Sequence, residues 1–183
     1  NNDTELIGEN SLSDMLGICM RDEVGVVGAK LLFDDDTVQH AGIVIGFGGF
    51  AGHVFSGIGR DDYGYMVRAR INCNYSAVTA ACLMTKRSVF DEVGGLTEIY
   101  KVACNDIDFC LKVREKGYLV VYNAFSEWYH YDSKSRGYED TPEKMERFQG
   151  EVRKFQARWG DFLEQGDPYY NSNFPITGEP FTL

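Results

Sequence analysis

The sequence predicts an α/β fold with a mixed sheet, flanking helices and a long C-terminal helix. Three observations carry this expectation. Val24 to Phe33 is a valine- and leucine-rich run of strand length. Asn105 to Lys116 places Ile107, Cys110 and Leu111 at helical spacing and stops at Gly117. Thr141 followed by Pro142 opens a stretch in which Met145, Phe148, Val152, Phe155, Trp159 and Phe162 recur every three or four residues.

The remaining elements follow in order. Ser11 to Asp22 reads as a short helix, with Ser11 and Asp14 spaced as in a capping box and Met15, Leu16 and Cys19 on the apolar face. The run Asp34-Asp35-Asp36 reads as a solvated hairpin turn rather than a metal site. It leads into a second strand, His40 to Gly49. From Gly48 to Gly64 the chain is glycine-rich and irregular, and a loop of that length is usually functional or mobile. Thr79 to Met84 reads as a strand of small residues. Ser88 then caps a short helix that runs through Val93 and closes on Gly94 and Gly95. Tyr118 to Tyr122 is a further strand, and Ser126 to Gly137 a polar and aromatic loop. The stripe from Met145 to Phe162 is a packing face. It docks on the domain or pairs with a second chain, so a helix-mediated homodimer is an allowed partner. The segment Asp167-Pro168-Tyr169-Tyr170-Asn171 is expected to run extended over the surface.

Composition bounds the function. The chain has 183 residues, 44% hydrophobic and 25% charged, as expected of an ordinary globular domain with a sizeable core. Eighteen Lys and Arg against 28 Asp and Glu give a net charge of −10. Such an acidic surface is a poor non-specific binder of polyanions, which argues against nucleic acid as a partner. No apolar run reaches the roughly 20 residues of a membrane-spanning helix. The first residues carry neither an initiator methionine nor a signal-peptide pattern, which points to a fragment or processed form. Five cysteines without a CxxC pair read as reduced, buried thiols of a cytosolic protein.

Four places carry candidate chemistry. Asn1-Asn2-Asp3 sets a carboxylate beside short amides, which suits a hard divalent cation, although on its own the run reads first as the start of a helix or turn. Asn105-Asp106-Ile107-Asp108 opens a helix, where acidic residues favour the macrodipole and one carboxylate can serve as a general base. Two carboxylates two residues apart on a helix point in different directions, so one of them is expected to face a cleft. In Glu127 to Gly137, His130 sits among aromatics, before Ser133, Lys134, Ser135 and Arg136. Imidazole can complete a metal shell, and the cationic loop can bind a diphosphate. Finally, His40 reads as a strand residue and His53 as a loop residue, lining an acceptor groove with Arg60, Asp61 and Asp62.

The order of these pieces is itself informative. It runs from Asn1-Asn2-Asp3-Thr4-Glu5 through Val26-Val27-Gly28-Ala29-Lys30-Leu31-Leu32 and Gln39-His40-Ala41-Gly42 to Ala77-Val78-Thr79-Ala80-Ala81-Cys82-Leu83. Val93-Gly94-Gly95-Leu96 and Asn105-Asp106-Ile107-Asp108-Phe109-Cys110-Leu111 follow, then Tyr129-His130, Ser133 and Ser135-Arg136-Gly137, then Asp167-Pro168-Tyr169-Tyr170-Asn171. In this order they resemble the C-terminal part of bacterial family 2 glycosyltransferases. Those are inverting enzymes of GT-A fold that assemble polysaccharide and O-antigen, with rhamnosyltransferase-like members.

The resemblance implies a set of roles. Asn1-Asn2-Asp3 stands for the DxD-type motif, with Asp3 a ligand of Mg²⁺ or Mn²⁺ and Asn1 in place of the first acidic residue. Asn105-Asp106 stands for a Glu-Asp motif, which makes Asp106 the catalytic base. His130 corresponds to the family's metal-associated histidine, and Ser133, Ser135 and Arg136 to its diphosphate-binding loop. Thr79, Ala80, Asp108 and Trp128 fall near the acceptor groove, and the Ala80 methyl, where relatives carry glycine, is expected to narrow it. The substrates implied are a nucleoside-diphosphate sugar and a glycan or lipid-linked acceptor, handled in the cytoplasm or at the inner face of the membrane. Residues 1–137 would form the C-terminal part of a GT-A catalytic domain, and 138–183 a helix and tail packed on it.

In the family, the strands that hold the nucleotide base precede the metal motif, and here that motif opens the chain. The expectation is therefore a frayed N-terminus that positions Asp3 poorly, an exposed sheet edge, and a piece that is inactive alone. Two other classes compete. A non-catalytic carbohydrate-binding domain would use Tyr63, Tyr65, Trp128 and Tyr129 for sugar stacking. A metal-dependent hydrolase built on Asp3, Asp106, Asp108 and His130 lacks the clustered spacing of a two-metal site.

Overall fold

A computed structural model describes residues 1–131 and 141–182. Its centre is β2 (Val24–Leu32), every residue of which is buried. Beside it lies β8 (Leu119–His130), paired in parallel from Val24↔Leu119 to Leu32↔Tyr129. The sheet extends in the order β1-β8-β2-β3, where β1 is Thr4–Leu6 and β3 is Val38–His40. Two short strands, β6 (Cys73–Asn74) and β7 (Leu83–Thr85), pair antiparallel with β8 and β2. A separate ribbon joins β4 (Ile43–Ile45) to β5 (Ala51–His53). The sheet is thus mixed, as the sequence predicted.

Alternation along β2 sets two layers. Val27, Ala29 and Leu31 pack with Met15 and Cys19 of α1 (Ser11–Cys19). Val26 and Leu32 face the larger core, with Phe109, Leu111 and Val113 of α3 (Asn105–Glu115) and Phe155 of α4 (Pro142–Arg158). Two short helices complete the set, α2 (Arg87–Glu92) and α5 (Gly160–Gln165). On α4 the cap is as expected: Pro142 is in the first turn and the Thr141 hydroxyl accepts from the Lys144 amide at 3.3 Å. The stripe is mostly consumed inside the molecule. Phe155 and Trp159 are buried, Phe148 meets Phe50 edge-to-face at 5.7 Å, and Met145 alone of the six is largely exposed. Among the described residues no helix is long and apolar enough to cross a membrane.

Several expectations need correction. The strand expected at Tyr118–Tyr122 runs on to His130, so residues 126–130 of the expected loop are strand, and 132–137 of it lie outside the described residues. Its pattern breaks because Ala29 pairs with Asn123 and Lys30 with Glu127, leaving 124–126 as a bulge. Polar side chains close that bulge: buried Asn123 accepts through Oδ1 from Phe125 N, and exposed Asn72 accepts through Oδ1 from Ala124 N. The Asp34–Asp36 turn is found, but the following strand breaks at Ala41-Gly42 into β3 and β4. Gly42 has φ +115°, and a Cβ there would lie 2.5 Å from the Tyr75 ring, so glycine is required at the break. Thr79–Met84 holds a 3₁₀ turn, Ala80–Cys82, before β7.

Helix α1 ends at Cys19, and Ser11 is not a cap: its hydroxyl accepts from Glu127 N and reaches Glu127 O. Helix α2 starts at Arg87, with Lys86 rather than Ser88 at its cap position. The tail turns back into the core. Asp167 accepts from Ile45 N at 2.8 Å and from Ser76 Oγ at 2.7 Å, and Tyr170 is buried. The five cysteines are free; Cys19, Cys104 and Cys110 are buried as expected, whereas Cys73 and Cys82 are only partly so.

Candidate functional site

A cavity of about 660 Å³ opens where the chain's beginning, the ends of β3, β5 and β8, the 79–81 turn and the start of α3 converge. Asn1, Asn2, Asp3, Gln39, His53, Thr79, Ala80, Lys101, Asn105, Asp106 and His130 are among its lining residues. Asp106 and His130, 24 positions apart in sequence, therefore share one space with Asp3.

The first residues are held in place, contrary to the expected fraying. β1 pairs with β8 through Thr4↔His130, Glu5↔Tyr129 and Leu6↔Trp128. The Asn1 nitrogen donates to Ala81 O at 2.8 Å, and Tyr131 N to Asp3 O at 2.9 Å. This sets Asp3 Oδ1 3.4 Å from His130 Nε2, with both side chains only slightly exposed.

Asp106 sits in the first turn of α3. Its Oδ2 accepts from Ala80 N at 3.1 Å and its Oδ1 from Ile107 N at 2.9 Å. The carboxylate is thereby fixed against the same 80–81 turn that anchors Asn1. The turn is braced by Thr79, whose Oγ1 accepts from Ala81 N. The loop before α3 is held from behind: buried Glu151 on α4 accepts from Lys101 N at 3.0 Å and Ala103 N at 2.6 Å. Cys104 then adopts a left-handed φ of 64° as the cap residue of α3.

Two of the acceptor-groove residues are not in this cavity. Asp108 is fully buried on the opposite side of α3, where Thr97 Oγ1, Trp159 Nε1 and Arg158 reach it at 2.6, 3.0 and 3.2 Å. It ties α3 to the end of α4. Trp128 packs with the core around α1 and donates to Ser126 Oγ at 3.0 Å. Arg60, Asp61 and Asp62 also face elsewhere: Arg60 pairs with Glu127, Asp61 with Arg70, and Asp62 with Gly59 N. Ser133, Ser135 and Arg136 lie outside the described residues. Lys101 and Ser56 line the cavity without any motif to announce them, because each reaches it through a loop path.

As a metal site the donor set is sparse. Asp3 and His130 supply one carboxylate and one imidazole, and among the described residues no group of three or more His, Cys, Asp or Glu side chains is arranged to hold an ion. The described residues thus present no closed structural zinc site. It fits a hard divalent cation that takes the rest of its shell from phosphate oxygens and water.

Behind the cavity, His40 is fully buried, with Nδ1 3.3 Å from His53 Nδ1 and Nε2 3.4 Å from Thr79 N. Burial, reinforced by His53 and His130, pushes its pKa well below the ordinary 6.5, so the ring is neutral in the fold. An unfolded chain takes up that proton, so stability is expected to fall as pH drops below about 6.5. Glu127 adds a second window. Burial raises its pKa, but hydrogen bonds from Arg60 and Lys30 outweigh burial and hold it below 4.5. Its stabilisation is complete above that value and is lost as pH falls through the lower folded value. Urea midpoints at about pH 7.5 and about pH 5.5 check the first window. Equal midpoints would mean that His40 takes up its proton in the fold.

Comparison with known proteins gives two matches. The chain is 49% identical over its whole length to an uncharacterised protein, y4gI, of Sinorhizobium fredii. Over 97% of its length it is 36% identical to O-antigen biosynthesis protein RfbC of Myxococcus xanthus. It spans 20% of the first protein and 14% of the second. No protein-family profile and no solved structure matches it. The chain is thus similar, nearly end to end, to a segment of a much longer protein named for O-antigen biosynthesis.

Proposed function

We propose that the chain is the catalytic portion of an inverting, metal-dependent glycosyltransferase of GT-A type, acting in polysaccharide biosynthesis. It would move a sugar from a nucleoside diphosphate to a hydroxyl of a glycan or lipid-linked acceptor. The observation that carries this reading is the single cavity faced by Asp106 from one element and by Asp3 and His130 from two others. The likeness to RfbC supports the polysaccharide context.

In this reading Asp106 accepts the proton of the attacking hydroxyl. Each of its oxygens accepts one backbone N–H and keeps a second lone-pair position for the acceptor. The hydroxyl oxygen bonds to the anomeric carbon as the bond from that carbon to the diphosphate breaks on the opposite face, which inverts configuration. Asp3 and His130 would hold Mg²⁺ or Mn²⁺, which when bound offsets the charge growing on the diphosphate. Lys101 in the cavity, with Ser133, Ser135 and Arg136 as the proposed diphosphate loop, adds donors and positive charge.

A sugar-stacking module is less well supported. Phe33 is an aromatic lining residue of the cavity, whereas Tyr63, Tyr65, Trp128 and Tyr129 do not line it. Calorimetric titration of the chain with UDP and GDP, with and without Mn²⁺, tests the proposal. Binding is expected for at least one nucleotide and only with metal. Oligosaccharide binding without metal, together with no nucleotide response, would replace it with the carbohydrate-binding reading.

A further inference from the structure

Two of the chain's three histidines, His53 and His130, bond to Gln39, to which the reaction scheme above gives no role, and the third, His40, follows it in sequence and meets His53. Gln39 sits in β3, almost fully buried, and its side chain lines the cavity. β2 ends at Leu32, opposite Tyr129, so His130 at the end of β8 has no partner residue in β2. The Gln39 amide reaches past the end of β2 to His130 and bonds it twice. Its Nε2 donates to the His130 backbone carbonyl at 3.2 Å, and its Oε1 lies 2.6 Å from His130 Nδ1.

These two contacts decide a proton position. A backbone carbonyl can only accept, so the amide atom facing it must be the NH₂ group. The amide atom facing Nδ1 is then the carbonyl oxygen, which also can only accept. Nδ1 must therefore carry the hydrogen. In the neutral ring Nε2 is left bare, and Nε2 is the atom that faces Asp3 Oδ1 at 3.4 Å and the Asn1 side-chain amide nitrogen at 3.4 Å. The Asn1 amide is placed to donate to a bare nitrogen.

From this we infer that Gln39 is a positioning residue that locks His130 in its Nδ1–H tautomer and turns the Nε2 lone pair into the cavity beside Asp3. The consequence for metal binding rests on the function proposed above, since a ring nitrogen binds a cation only through a bare lone pair and its other nitrogen needs a fixed partner. The tautomer itself does not depend on that function.

The test has two independent arms. Long-range ¹H–¹⁵N spectra of the histidine rings, recorded on the metal-free chain at mildly alkaline pH and assigned with His130→Gln, report the tautomer directly. Protonated Nδ1 and unprotonated Nε2 are expected at His130 in the wild type, and an Nε2–H ring there overturns the inference whatever the metal does. The second arm compares Gln39→Leu and Gln39→Glu, with folding checked by circular dichroism. Leu removes the acceptor and should release the tautomer. Glu keeps an acceptor opposite Nδ1 and should preserve it. With UDP or GDP present, Mn²⁺ affinity followed by electron paramagnetic resonance should fall about 10- to 100-fold in the Leu variant and recover in the Glu variant. A Gln39→Leu protein with the wild-type tautomer overturns the inference. A wild type with the expected tautomer but no Mn²⁺ binding upholds Gln39 and sinks the metal-dependent reading instead.

Discussion

In the proposed reaction, replacing Asp106 with asparagine is expected to slow sugar transfer about 100- to 10,000-fold while donor affinity stays roughly unchanged. The experiment belongs in a protein that carries this chain at its natural length, read by release of nucleoside diphosphate. The size of the effect follows from what is removed: a carboxylate that Ala80 N and Ile107 N hold at the cavity wall. Asparagine has only one accepting atom. Its NH₂ group must therefore oppose one of those two backbone donors, and some loosening of the 80–81 turn accompanies the loss of the proposed base. A thermal melt separates the two effects. Turnover close to wild type would remove Asp106 from its role, because among the described residues no other carboxylate of α3 reaches the cavity: Asp108 is sealed against Trp159 and Arg158.

The largest loss of stability is expected elsewhere, at Glu127→Ala, with a cost of about 3 kcal/mol. Lys30 in β2 is fully buried, and its ammonium donates to Glu127 Oε1 at 3.0 Å and to Arg60 O at 2.6 Å. The other Glu127 oxygen takes Arg60 through Nη2 at 2.7 Å and Nε at 3.1 Å. Removing the carboxylate leaves an ammonium in the core with one carbonyl for company. The lower end of the usual range applies because Glu127 and Arg60 keep partial contact with water. Urea unfolding with an unchanged slope measures the loss. A double variant, Lys30→Met with Glu127→Gln, should recover much of it, since the cost lies in the unpaired charge. A loss below about 1 kcal/mol for Glu127→Ala alone would mean that water takes the place of the carboxylate.

Local patterns were legible where one periodicity held without interruption. The valine run of β2, the amphipathic face of α4 with its Thr141-Pro142 start, and α3 closing before Gly117 each appear close to their expected bounds. Legibility failed where the chain paid local regularity for tertiary fit. β8 looked finished at Tyr122 because its bulge buries Asn123 and Ser126, polar residues that a strand pattern cannot predict. Asp106 and Asp108 were distinguishable in principle, since two positions on a helix diverge. Which of them meets the cavity depended on where Trp159 and the 80–81 turn pack.

Sequence alone fixed the chemistry on offer: an acidic chain, an aspartate near each of two turn-like starts, and a histidine at the end of an aromatic run. These are properties of residue type and near-neighbour spacing, and they survive in any fold. Only the tertiary structure decided that Asp3, Asp106 and His130 face a common space, that Asp108 does not, and that Gln39 dictates which nitrogen of His130 is bare. Those outcomes depend on strand order and on hydrogen bonds between positions up to 129 apart in the chain. Such contacts form only when the sheet closes, so no local pattern encodes them.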